Sequence, residues 1–487
     1  MSELGKGRPS PLLFAGVAAL LFLVHSPYLK LPFHWDELGQ FVPAALDIYR
    51  EGRWIPVTTV PNVHPPGVMG VLALVWRIFG YSILVSRVTM LAIAALGVWL
   101  CFRLTLRLSH AVEPAYFAAL FLVASPILYT QSMMVLLDMP AMTLTLLAML
   151  LFLDQRYALC AGACIGLVLV KETSITTPAV FASWLWFKGR RREALYFVAP
   201  AAALAMWLFA LRQSTGHWLG NEEFAQYNVT SALDPLHIAF AFASRTWFLF
   251  VSDGHWIGTV ALLLGWRLLR SPEWNLALTV GLAQVIIVTV FGGAELERYL
   301  VPVLPVLYAA MATAALVYRQ RWRWISAVAM LAFLVAGWFW NAPYPRPYED
   351  NLDMVNFVRT NQDAAQYLEE HYPNARVASA WPFTAALRHP EFGYVRRSMN
   401  VLEAPGLHLA ELKALGRENF DIAVIFTNKP PSRGRLLNLP LLRRFVRHYY
   451  DFAPQATREE IRTGLGFVPV RRWQRGDQWI EIYAPER

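Results

Sequence analysis

The sequence predicts a mostly α protein: a polytopic transmembrane helical bundle of about 11 spans, followed by a C-terminal soluble α/β domain. Three observations predict it. The 487 residues are 56% hydrophobic and only 16% charged, whereas a soluble domain is about half apolar and about a quarter charged. The apolar residues gather in runs long enough, or nearly so, to cross a bilayer. The basic residues fall in short clusters between those runs, which is how cytoplasmic loops are marked.

The runs lie at 11–29, 82–102, 114–132, 135–153, 157–170, 174–187, 194–211, 255–269, 274–291, 299–318 and 323–340. Lys6 and Arg8 precede the first of them. No clear small-x-small cleavage site follows, so this run is read as an uncleaved anchor with its N-terminus inside. Alternating sides from there places Arg103 and Arg107, Lys188 to Arg192, Arg267 and Arg270, and Arg319 to Arg323 all on the cytoplasmic face. A net charge of +9 distributed in this way points to membrane topology and not to nucleic acid.

The same alternation puts four segments outside: 30–66, Lys171 and Glu172, 212–234, and 292–298. Two further apolar stretches, 67–79 and 236–251, are short and flanked by prolines, and are read as interfacial or re-entrant helices. Moving either into the count breaks the charge parity. Cys101, Cys160 and Cys164 lie inside apolar runs, with no Cys/His spacing suited to zinc, and are read as core residues.

The segment 1–340 is thus a membrane domain. The stretch Asn341 to Asp350, with prolines at 343, 345 and 347, reads as a linker. Residues 351–487 form the soluble domain, on the extracytoplasmic side. Within it the pattern predicts a helix at 352–371, a strand at 376–380, a helix at 408–417, a buried strand at 421–426 and terminal strands near 468–473 and 478–484.

The strongest chemical signal is His34-Trp35-Asp36-Glu37, a few residues beyond the first run and followed by Asn62-Val63-His64-Pro65-Pro66. Two adjacent carboxylates at a membrane surface repel one another and lose solvation, so they need a cation, a proton or a reacting substrate. Lys171, Arg298 and Asp138 stand at the outer ends of distant runs. Each has a plainer alternative: Lys171 and Glu172 as a snorkelling pair, Arg298 and Glu297 as a local ion pair, and Asp138 as a helix start before Pro140. The loop Gly216 to Tyr227 mixes aromatics with acids and reads equally as part of an acceptor site or as a plain connection.

From Phe33-His-Trp-Asp-Glu through His64-Pro-Pro-Gly to Ile78-Phe-Gly80, the chain resembles the first outer loop of the GT-C membrane glycosyltransferases, specifically the protein O-mannosyltransferase and aminoarabinose transferase-like family. Leu137-Asp138-Met139-Pro140, Leu169-Val170-Lys171 and Glu297-Arg298-Tyr299-Leu300-Val301-Pro302-Val303-Leu304-Pro305 resemble family motifs in the same order. The resemblance covers 1–340. It implies that Asp36 is a catalytic base; Glu37 is read as positioning the acceptor or a substrate hydroxyl, and the two roles are exchangeable. Lys171 and Arg298 are suitably charged, and on the right face, for a departing phosphate. His34, His64, Asp138 and Tyr299 are read as substrate-binding candidates, with a structural hydrogen bond the plainer reading of both histidines. One departure is specific to this chain: the family's lysine is often followed by Gly-Pro, and here Glu172-Thr173 follows Lys171, where the carboxylate can neutralise the lysine.

The expected function is therefore an inverting hexosyl- or pentosyltransferase of a multi-pass, bacterial inner membrane type. Its donor is a polyprenyl-phosphate-linked sugar, and its acceptor a glycan, lipid or protein outside the cytoplasm. No cofactor is demanded, and the separated carboxylates Asp36 and Asp138 leave a divalent metal open. The alternative, a transporter or flippase, calls for mid-span charges and inverted repeats.

Overall fold

Caps and prolines decide where the apolar runs become helices. In the computed structural model, which describes residues 11–294, 296–317, 322–341, 347–427, 439–440 and 455–486, Ser82 opens the helix Ile83–Ser109 by accepting the Val85 N–H at 3.1 Å. Ser271 and Asp234 do the same before Pro272 and Pro235, opening Pro272–Val290 and Pro235–Phe250. A hydroxyl or carboxylate cap followed by proline satisfies the loose N–H groups and presets φ for the first turn.

The chain divides into two compact units: Met1–Pro27 with Pro43–Trp340, and Tyr28–Val42 with Asn341–Arg487. In the first, helices follow the expected runs closely, Tyr157–Val170 without any offset. Their lengths do not support the expected count of crossings. Among the described residues three helices are long and apolar enough to span a bilayer alone: Ile83–Ser109, Arg191–Thr215 and Pro272–Val290. A fourth candidate is the pair Pro235–Phe250 and Ser252–Leu269, bent by 45°. The other apolar helices, including Val112–Ala124, Asp138–Leu153 and Leu304–Leu316, are shorter.

The apolar runs overstate helix length because they continue through buried backbone that is not helical. Ser132–Leu137, before Asp138, and Val301–Val303, before Leu304, are buried without being α-helical, and Pro126 restarts a helix that ends at Ala124. Of the basic residues used for topology, Lys6, Arg8 and Arg319 to Arg321 lie outside the described residues, as do 342–346 of the linker.

Small residues bring the helices together, as membrane packing requires. Gly97 faces Met142 and Thr143, Gly258 faces Met311, and Gly265 faces Ala314, each too close for a Cβ without a shift. Phe152 stacks on Phe181 at 4.2 Å between ring centroids. Gly67, the first residue of Gly67–Phe79, abuts the Leu169 carbonyl at the end of Tyr157–Val170. Backbone yields less than a side chain, so Gly67→Ala is expected to destabilise the protein by about 1–3 kcal/mol, read as a lowered Tm in detergent; an unchanged Tm means that this contact adjusts freely.

In the second unit the helix Asp353–His371 packs on a five-stranded sheet of order β2-β1-β3-β5-β4. The strands are β1 Arg376–Ala380, β2 Asn400–Ala404, β3 Ile422–Phe426, β4 Phe467–Arg475 and β5 Gln478–Pro485. β2, β1 and β3 run parallel, while β5 is antiparallel to both β3 and β4. β3 is buried throughout, as befits a central strand. The two-residue turn Gly476-Asp477 closes the β4–β5 hairpin, with Gly476 at φ +58°. The sequence reading does not contain β2, Phe383–Arg388 or Arg458–Leu465.

Tyr28–Val42 is built into this unit. The Phe33 N–H donates to the Phe392 carbonyl at 3.1 Å, and the Tyr394 hydroxyl donates to the Phe33 carbonyl at 2.9 Å. Trp35 meets Trp381 edge-on at 4.9 Å, and a Cβ on Gly39 would lie 3.0 Å from the Trp381 ring. The acidic segment is therefore held by side chains that follow it by more than three hundred residues.

Candidate active site

In the first unit the site starts from a buried turn. Arg87, fully buried on Ile83–Ser109, donates from Nη1 to the Met133 carbonyl at 2.9 Å. That contact supports the stretch leading into Asp138, the first residue of Asp138–Leu153. The Asp138 side chain is 3% exposed, so its carboxylate has lost most of its hydration and needs compensating charge. Lys171, where Tyr157–Val170 ends in extended backbone, supplies it through Nζ to Oδ1. Arg298, in the short turn Glu297–Leu300, places Nε 4.0 Å from Oδ2.

The Tyr299 ring lies 4.3 Å from Lys171 Nζ and 5.6 Å from the Arg298 guanidinium carbon, adding a π face to both cations. The Asp138 carboxylate thus stands between two buried cations. Of the alternatives in the sequence, the structure pairs Lys171 with Asp138. The carboxylate of Glu172 goes elsewhere.

Glu172 Oε2 is 2.9 Å from His64 Nδ1. The His64 segment is fixed residue by residue: its N–H donates to Asn62 Oδ1 at 3.0 Å, Trp207 Nε1 donates to the Val63 carbonyl at 2.9 Å, and Phe224 lies edge-on to the imidazole at 5.6 Å. Burial works to raise the Glu172 pKa, yet the charge and hydrogen bond of His64, with Lys171 behind them, hold the carboxyl below the usual carboxylate range. The loop Gly216 to Tyr227 belongs to the same neighbourhood. Asn221 donates to the Pro61 carbonyl at 2.9 Å, and Tyr227 abuts Gly293.

Just beyond Lys171, Thr173 Oγ1 and Ser174 Oγ are buried, as is Gln284 Nε2 from Pro272–Val290, whose Oε1 accepts from Thr176 at 3.3 Å. None of those three atoms has a hydrogen-bond partner among the described residues. Buried donors in that condition are uncommon and invite an oxygen-rich ligand. The sequence gives none of the three a role, nor Arg87; for Arg87 the signal is available, since a charge within an apolar run has to be paired or functional.

His34, Asp36 and Glu37 belong to the second unit. His34 is buried and edge-on to Phe357 at 5.2 Å. Glu37 is fully buried, and its Oε2 accepts the His34 N–H at 2.7 Å. Asp36 remains partly exposed between Trp35 and the π-helical turn Glu37–Phe41. Trp35 has φ +49°, a backbone state that a bulky side chain holds only when its surroundings impose it. Here the imposing groups are Trp381 and Phe357. Among the described residues no three His, Cys, Asp or Glu side chains gather as a metal site would require.

Among the described residues the fold is a bundle of apolar helices in one unit and a small α/β arrangement in the other. No protein-family model and no curated protein sequence matches the chain. Among solved structures, ArnT from Cupriavidus metallidurans bound to undecaprenyl phosphate superposes with a TM-score of 0.58, at 13% identity over 97% of both chains. Its apo state gives 0.57 at the same identity and coverage. At that identity the likeness is one of fold.

Proposed function

We propose that the protein is an integral membrane glycosyltransferase that moves a hexosyl or pentosyl unit from a polyprenyl-phosphate donor to an extracytoplasmic glycan, lipid or protein. The observation that carries this reading is the buried cluster of Asp138, Lys171 and Arg298. Its two cations, Lys171 and Arg298, suit a phosphate, and the Thr173, Ser174 and Gln284 donors beside it suit further oxygens. The fold shared with a protein crystallised with undecaprenyl phosphate supports the same ligand class.

In the reaction, the acceptor hydroxyl oxygen attacks the anomeric carbon while its proton passes to a carboxylate. The bond from that carbon to the phosphate oxygen breaks, and the polyprenyl phosphate departs with increased negative charge. Lys171 offers that charge a point cation and Arg298 a forked donor. Asp36 is the base in this reading. It keeps solvent access, whereas the neighbouring Glu37 is buried against the His34 N–H. His34 and Glu37 then shape the loop, and Tyr299 braces the cations.

Full-length protein in proteoliposomes with undecaprenyl-phosphate-linked sugars tests the proposal. Cleavage of the donor with release of undecaprenyl phosphate is the expected result. Passage of intact donor across the bilayer without cleavage would identify a flippase instead.

A further inference from the structure

A hydroxyl or amide taken out of water normally finds a hydrogen-bond partner, because a dry, unmatched polar atom is costly. Thr173 Oγ1, Ser174 Oγ and Gln284 Nε2 depart from that rule together. Ser174 and Gln284 are only 1% and 4% exposed. The Thr176 hydroxyl brings the three into one neighbourhood, lying 3.4 Å from the Thr173 carbonyl and 3.3 Å from Gln284 Oε1. We propose that Thr173, Ser174 and Gln284 form a subsite for the hydroxyl groups of the donor's sugar, and so select the glycosylated carrier over the bare one. The inference rests on the reading of Lys171 as a phosphate ligand and names what lies beside that phosphate.

The chemistry of the three groups favours sugar over phosphate. All are neutral, and each hydroxyl both donates and accepts. A phosphate oxygen at this site only accepts, and the groups suited to hold it are cations such as Lys171 and Arg298. A sugar hydroxyl donates and accepts, as the subsite does. The placement agrees. The Ser174 N–H donates to the Lys171 carbonyl at 3.1 Å, closing a turn that keeps the two Cα atoms within about 7 Å. In a glycosyl phosphate the ring hydroxyls lie one sugar ring away from the phosphate, a separation on the same scale. A bare carrier would leave all three groups unmatched, and a site built to hydrogen-bond a substrate hydroxyl discriminates strongly against a ligand that lacks it.

Binding to full-length protein in nanodiscs tests the inference, with undecaprenyl phosphate and the same lipid carrying mannose, glucose or arabinose as probes. For whichever glycosyl lipid wild type binds most tightly, Ser174→Ala and Thr173→Val are each expected to lower affinity by about three- to tenfold. Both together with Gln284→Leu should lower it by about 30-fold or more. Undecaprenyl phosphate should bind every variant within about twofold of wild type. The two single variants should also keep or raise the Tm of the ligand-free protein, because each removes a dry polar atom without a partner; they carry the test even where the triple variant folds poorly. Equal losses for both kinds of lipid overturn the inference, since the three groups then serve the phosphate. Unchanged binding of the glycosyl lipid also overturns it and assigns them to an ordered water, and a lowered Tm with no selective loss assigns them to the fold. If wild type binds undecaprenyl phosphate but none of the glycosyl lipids, the sugar subsite alone falls; if it binds none of the four, the phosphate reading falls as well.

Discussion

Asp36→Asn is expected to lower glycosyl transfer by about 10²–10⁴-fold while leaving the protein folded and its affinity for undecaprenyl phosphate unchanged. The amide keeps the size and hydrogen-bonding reach of the carboxylate but cannot take a proton from an acceptor hydroxyl. Geometry favours Asp36 over its neighbour. Glu37 accepts the His34 N–H at 2.7 Å inside the second unit, so Glu37→Gln should act first on thermal stability and only then on turnover. Initial rates in membranes, with abundance and Tm matched, separate the two. If folded Asp36→Asn transfers sugar at the wild-type rate, the base lies elsewhere.

Lys171→Ala carries the second large effect, and it acts on both binding and folding. Among the described residues Asp138 would remain buried with Arg298, at 4.0 Å, to offset it. Breaking a buried ion pair by removing one partner costs about 3–5 kcal/mol, so a marked fall in Tm is expected. Affinity for undecaprenyl phosphate should fall by about 100-fold, the loss of one charge-assisted contact in a partly desolvated site. Arg298→Ala should weaken binding similarly, and Arg298→Lys by less, because the charge survives while the planar fork is lost. Lys171→Ala with Asp138→Asn should recover much of the stability without the affinity, since the uncompensated carboxylate is gone and the cation is not restored. Recovery of both would assign Lys171 a purely structural part.

The parts of the fold legible in the sequence are those that local chemistry bounds. Tyr157–Val170 sits between Arg156 and Lys171 with no polar residue to blur its ends, and β1 follows the helix-ending Tyr372-Pro373; both have the expected limits. β2 was not legible, because Asn400 and Glu403 are exposed in a short edge strand that lacks the apolar alternation of a half-buried one. Helix length does not confirm a span number of about 11 among the described residues, where buried but non-helical backbone, as at Ser132–Leu137, carries the same apolar composition as a helix. For the site, residue types and order along the chain were readable, but partners were not. The Lys171–Glu172 pair is ambiguous by adjacency alone, and the hydropathy of its run hides Arg87, whose Met133 contact is set by the fold.

By itself the sequence determined the apolar character of the first unit, the order of its helices, the change to an α/β unit after Trp340, and which charged residues stand at the ends of apolar runs. Those properties follow from composition and from periodicity over ten or twenty residues, which local backbone physics translates directly. Only the tertiary structure decided that Lys171 meets Asp138, that Glu172 meets His64 across a separation of 108 residues, and that the acidic segment Tyr28–Val42 is anchored by Trp381, Phe392 and Tyr394. Pairing of that kind depends on which desolvated charges and rings the folded chain brings within a few Å. At that range the cost of leaving a buried carboxylate unpaired exceeds any preference written in its immediate neighbours.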